Sequence, residues 1–169
     1  MSQPKPISES RRRRVDELLG REARGLQDIP VTGPGGEPRD IRVASLVDDK
    51  PFPTLFWLVD PDLNYRIDQL EAGGVIAELQ RRIDGDPGLQ AAMAEDHRAH
   101  IALRNDFMDD AVRDRIASLG FYESLQKRGI GGIEKPGRIR CLHTWYAAHL
   151  VVANTVGRLV DEMFAEDNE

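Results

Sequence analysis

TLFWLVDPDLNYRIDQLEA, residues 54–72, passes from strand to helix at a single point, and that passage sets the fold class. Thr54–Val59 is β-prone and apolar on both faces, which places it centrally in a small sheet covered by helices. Asp60-Pro61 then supplies an N-cap and a first helical residue with its backbone angle preset. Leu63, Ile67 and Leu70 follow as one stripe, and Gly73-Gly74 stops it.

Working towards the N-terminus, the turn-like Asp48-Asp49-Lys50-Pro51 separates this strand from another at Ile41–Val47. Residues 30–40, PVTGPGGEPRD, are dense in glycine and proline and read as loop. Val15, Leu18, Leu19, Ala23 and Leu26 recur at helical spacing, predicting a helix from Ser8 or Ser10 to about Leu26. Its Arg11–Arg14 run is diluted by Asp16, Glu17 and Glu22 and reads as a solvated face. Residues 1–7 read as a disordered lead-in.

In the other direction a short helix is predicted over Val75–Ile83, and Asp86-Pro87 repeats the helix-start signal. The helix it opens carries Leu89, Met93 and Ile101 near one face. Helix is expected to continue over 107–126, with room for a break before it, then from Ile139 to Val152 and from Asn154 or Thr155 to Phe164, before an acidic tail at 166–169. The reading is one α+β domain over 8–165, mostly helical, with two or three strands.

The 169 residues are 40% hydrophobic, enough for one domain with its own core. A net charge of −6 argues against a nucleic-acid coat or a polybasic membrane binder. One cysteine excludes an internal disulfide framework and suits a reducing compartment. No apolar run reaches the roughly 18–20 residues that span a bilayer. The basic start lacks an apolar signal core. A soluble cytoplasmic protein without nucleic-acid or membrane partners is expected.

Three groups of residues carry candidate chemistry. His97, His100 and Arg104 lie on one helical stripe beside Leu89 and Met93. They suit recognition of an anion, or a structural role with Arg104 on a core carboxylate and the histidines on backbone. His-x-x-His lacks a third metal ligand at fixed spacing. The segment Lys127–Arg140 gathers Lys127, Arg128, Lys135, Arg138 and Arg140 around Gly129, Gly131 and Gly132, with Glu134 as its single acid. With a helix start behind it, this is a phosphate cradle in composition, although it matches neither a P-loop nor a dinucleotide fingerprint. The alternative is a mobile loop with solvated charges. Cys141 and His143 open an apolar helix. Residues two apart on a helix diverge, so they read as core residues rather than a nucleophile and its base.

Residues 50–58 (KPFPTLFWL), the His97–Arg104 helix and residues 129–157 (GIGGI…GRIRCLH…NTVG) together resemble the bacterial family called domain of unknown function 501, over about residues 19–160. In actinobacteria its members often lie beside genes for a small septum-forming protein and an exopolyphosphatase, which implies a link to division or phosphate metabolism. Many members have Cys-Pro-Cys-Gly where this chain has Gly33-Pro34-Gly35-Gly36, and Thr-Cys-Pro where it has Val59-Asp60-Pro61. The joint substitution implies that those cysteines form one zinc or redox unit in the relatives, together with the Cys-Leu-His segment. Here no metal and no cofactor is expected.

The leading expectation is a binding or regulatory domain for a small phosphate-bearing ligand. Gly129, Gly131, Gly132, Arg138 and Arg140 would hold the anion. His97, His100, Arg104, Cys141 and His143 would stand nearby. An interaction module with a protein partner in cell division is the alternative, and a phosphoester or polyphosphate hydrolase ranks last.

Overall fold

The computed structural model describes residues 5–169. Helix α1, Glu9–Leu19, starts where the Ser8 hydroxyl accepts the Arg11 N–H. It stops seven residues short of Leu26 because Gly20 turns left-handed (φ 74°) and returns its N–H to the last turn. The predicted lead-in lies partly outside the described residues; within them Ile7 packs on the cluster beneath α1.

Leu26 begins a strand instead. The sheet is antiparallel, in the order β1 (Leu26–Thr32), β2 (Pro38–Val43), β5 (Phe56–Leu58). The predicted loop at 30–40 is therefore strand at both ends and a turn only at Gly33–Gly36, where the Gly33 N–H donates to the Glu37 carbonyl (2.8 Å). Pro30 is tolerated because β1 is an edge strand, with its ladder broken by register shifts. After β2 the chain leaves the sheet for a two-residue hairpin, β3 (Leu46–Val47) and β4 (Lys50–Pro51). Its turn residues Asp48 and Asp49 both have positive φ (50° and 59°), as hairpin twist demands.

The strand over 56–58 is at the sheet edge, not its centre. Its two-faced apolarity has another cause: it separates two cores. Leu55 and Phe56 enter a large cluster, while Val59 joins a smaller one formed by Val15, Leu26, Ile41 and Val43 under α1.

The large cluster unites α2 (Pro61–Ala72), α3 (Val75–Asp84), α4 (Pro87–Phe107), α7 (Leu142–Val151) and α8 (Thr155–Glu166) around the fully buried Trp145. Both Asp-Pro signals form as read. Asp60 accepts from the Asp62 and Leu63 amides (2.9 and 3.1 Å), and Asp86 from those of Gly88 and Leu89 (2.9 and 3.1 Å). Residues 107–126 are broken into α5 (Asp110–Ser118) and α6 (Tyr122–Gln126) by left-handed Gly120. They close a third cluster with Met108, Ile116 and Leu125. The result is a single α+β domain, mostly helical, with a three-stranded sheet. Among the described residues no helix is long and apolar enough to cross a membrane.

Candidate functional site

Residues 128–141 form an arch between α6 and α7 with a short 3-10 turn at Ile130–Gly132. Two side chains pin it. His97 on α4 accepts the Ile130 N–H at Nδ1 (3.0 Å), which puts its proton on Nε2 for the Pro136 carbonyl (3.1 Å). Burial holds this ring below the ordinary histidine pKa, and it stands edge-on to Trp145 (4.9 Å between centroids). Gly129 lies so close that a Cβ there would fall 2.1 Å from His97 Nδ1. Gln80 on α3 is the second pin: its amide nitrogen donates to the Gly137 carbonyl (2.8 Å) and its oxygen accepts the Ile139 N–H (3.0 Å). That clamp keeps 139–141 out of helix, so α7 starts at Leu142 rather than Ile139.

The arch and α3 enclose a cleft of about 720 Å³ lined by Gly74, Gln80, Arg128, Gly132, Lys135, Arg138 and Arg140, among others. Arg128 donates to the Gly132 carbonyl (3.3 Å) and pairs with Glu134 (3.4 Å). Lys135, Arg138 and Arg140 are exposed and make no ion pair among the described residues. The same cleft is lined by the start of α3, where left-handed Gly74 is the N-cap and no side chain among the described residues caps the amides. Unpaired N–H groups at a helix start carry positive potential.

The helix start expected to face an anion was that of α7, and it is already occupied. The Leu142 N–H donates to Glu71 Oε1 at the end of α2 (2.7 Å). Cys141 precedes the helix in extended conformation (φ −155°, ψ 126°), so it does not diverge from His143: Sγ and Nδ1 are 3.6 Å apart. Glu71 Oε1 lies 3.3 Å from the same nitrogen, and Asp68 Oδ1 3.0 Å from Nε2. Burial pushes the Cys141 thiol up, but the His143 ring and the Thr144 amide outweigh it and leave it below the usual thiol range. The Cys141 sulfur, with Glu71 and Asp68, raises His143 to about 9 against the effect of burial.

The candidate residues thus fall into separate places. Gly132, Arg138 and Arg140 line the cleft, Gly129 backs onto His97, and Gly131 lies beside Thr144. His100 lines another cavity, of about 370 Å³, with Asp96 and Asn154. Its Nε2 is buried without a partner among the described residues, and burial drives its pKa to about 3. Arg104 is fully buried and meets no carboxylate among the described residues. It donates to the Pro53 carbonyl (3.0 Å) and to that of Leu125, and burial lowers its pKa to about 10. His143 faces a third cleft with Thr54 and Trp57. Sequence reading missed Gly74, Gln80, Asp68 and Glu71. No spacing rule joins them to residues some sixty to seventy-five positions away.

Gly33 and Asp60, where the relatives are expected to hold cysteines, both adjoin Arg39, whose Nε is 2.7 Å from Asp60 Oδ2. Asp60 caps the start of α2 and Glu71 ends it, a separation of about 16 Å along the axis. The Cys141-Leu142-His143 segment therefore does not share one site with those positions here.

No curated protein and no solved structure matches the chain. The family model described as "Protein of unknown function (DUF501)" matches residues 30–162, a span that holds β2, β5, the arch, the basic cleft and the Cys141–His143 pair, and the chain belongs to that family.

Proposed function

We propose that the protein binds a small phosphate-bearing anion in the cleft between α3 and the 128–141 arch. One observation carries this reading: Lys135, Arg138 and Arg140 share that cleft with the uncapped start of α3, and no carboxylate is bonded to any of the three among the described residues. Guanidinium groups and helix amides together suit a tetrahedral oxyanion. Glu134, the one acid among the lining residues, is engaged by Arg128, so the cleft supports binding and release more than acid–base chemistry. His97 and Gln80 hold the arch in shape and act at one remove.

Titration calorimetry with phosphate, pyrophosphate, nucleoside triphosphates and short polyphosphate tests the reading. At least one should bind with 1:1 stoichiometry, more weakly as salt is raised. Arg138→Ala with Arg140→Ala removes two charge-assisted contacts worth about 1.5–3 kcal/mol each, a loss of 100-fold or more. Silence across the series, or affinity indifferent to the double substitution, would overturn it.

A further inference from the structure

We infer that Glu71, Cys141 and His143 form a binding site for a zinc-class divalent ion, with Asp68 as the outer-shell partner of the histidine. This site is separate from the anion cleft and does not depend on it.

The ligand types come first. A thiolate, an imidazole and a carboxylate are the three donors zinc takes from proteins, and their ligating atoms here lie within 4.8 Å of one another. Spacing then discriminates. Bond lengths near 2.3 Å to sulfur and 2.0–2.2 Å to nitrogen and oxygen, at tetrahedral angles, require S···N of about 3.6 Å and N···O of about 3.4 Å. The chain holds Cys141 Sγ 3.6 Å and Glu71 Oε1 3.3 Å from His143 Nδ1. These are two edges of a zinc tetrahedron, formed by protein atoms alone.

The surroundings are those of a metal-bound histidine. A ligating ring donates its other N–H to a carboxylate, which fixes the tautomer and the plane. His143 Nε2 stands 3.0 Å from Asp68 Oδ1, leaving Nδ1 as the ligating nitrogen. The ligating carboxylate is itself held, since Glu71 accepts the Leu142 N–H (2.7 Å). Every donor is set by rigid structure: Asp68 and Glu71 on one face of α2, and Cys141 and His143 across the first turn of α7. The histidine and glutamate side chains are 23% and 26% exposed, so an ion has a path in. Three protein ligands leave a fourth position for water or a bound molecule, the pattern of sites that act on a ligand rather than staple a fold.

The test uses the full-length reduced protein, freed of metal by a chelator and titrated with Co²⁺ and then Zn²⁺. One equivalent of Co²⁺ should give the intense sulfur-to-cobalt absorption and tetrahedral visible bands, and Zn²⁺ should displace it. Cys141→Ser should abolish the sulfur band. Glu71→Gln, which retains an acceptor for the Leu142 N–H, and Asp68→Asn, at an exposed position, should each weaken Zn²⁺ binding by roughly 10- to 100-fold with unchanged circular dichroism. Absence of stoichiometric Co²⁺ binding to the wild-type protein overturns the inference. So does Zn²⁺ affinity unaltered in folded Glu71→Gln and Asp68→Asn. A Cys141 that reacts rapidly with alkylating reagents while no ion binds would identify a bare thiol–imidazole pair instead.

Discussion

Asp40 stands on the central strand with no solvent exposure and, among the described residues, no hydrogen-bond partner for either carboxyl oxygen. Burial raises its pKa to about 9, so the folded protein keeps it protonated at neutral pH while the unfolded chain ionises it near the ordinary value. The folded state thus holds the extra proton between about pH 4 and 9, and stability falls as pH rises through that window, at most about 1.4 kcal/mol per unit. Asp40→Asn should stabilise the protein by about 2–4 kcal/mol at pH 7 and by much less at pH 5. Urea unfolding of both proteins at the two pH values checks this; a gain independent of pH would mean that ionisation is not the cause. Gly129 makes a second case. A Cβ there would strike the His97 ring, so Gly129→Ala should release the arch and weaken anion binding along with stability. The sequence presents these glycines as a phosphate cradle, and their composition gives no sign that Gly129 approaches a histidine.

At the scale of elements, what was legible is what is local. Asp60-Pro61 and Asp86-Pro87 start helices because cap and first turn are neighbours in sequence. The β1 strand was not legible, because Pro30 and the glycines argue against it and only pairing with β2 forms it. Nor was the start of α7, which depends on Gln80 from a different helix. The α7–α8 joint shows how much one side chain sets. Asn154 is buried; its oxygen caps α8 through the Gly157 N–H (2.7 Å), and its nitrogen donates to the Trp145 carbonyl (2.8 Å). Asn154→Ala loses both, an expected cost of about 2–3 kcal/mol in chemical denaturation. Asn154→Asp should fail to rescue it despite keeping the cap oxygen, because a carboxylate would then face the Trp145 carbonyl. Full recovery with aspartate would reduce the role of Asn154 to capping alone.

At the scale of the molecule, Arg104 explains why the His97–His100–Arg104 stripe could be read correctly as a helix face and still not as a shared site. Spacing puts the three on one stripe and charge suggests a shared ligand, but they point into three environments: the arch, a separate cavity and the centre of the protein. Arg104 joins α4 to the β4–β5 link through the Pro53 carbonyl and to α6 through Leu125, so one guanidinium ties the sheet side, the long helix and the α5–α6 unit together. No carboxylate offsets its charge among the described residues, and the planar fork compensates by reaching two carbonyls that lie seventy-two residues apart in sequence. Lysine keeps the charge, is more strongly hydrated and lacks the fork, so it carries a larger burial cost with fewer bonds. Methionine keeps the stem's volume and removes the charge, but leaves the carbonyls without their donor, at a cost on the order of 3 kcal/mol. The expected order of stability is therefore arginine above methionine above lysine, measured as urea midpoints of Arg104→Met and Arg104→Lys. Lysine above methionine would show that charge rather than fork geometry matters at this position. Under conditions where both variants remain folded, pyrophosphate affinity should equal that of the wild type, since Arg104 is sealed from the cleft that Arg138 and Arg140 line.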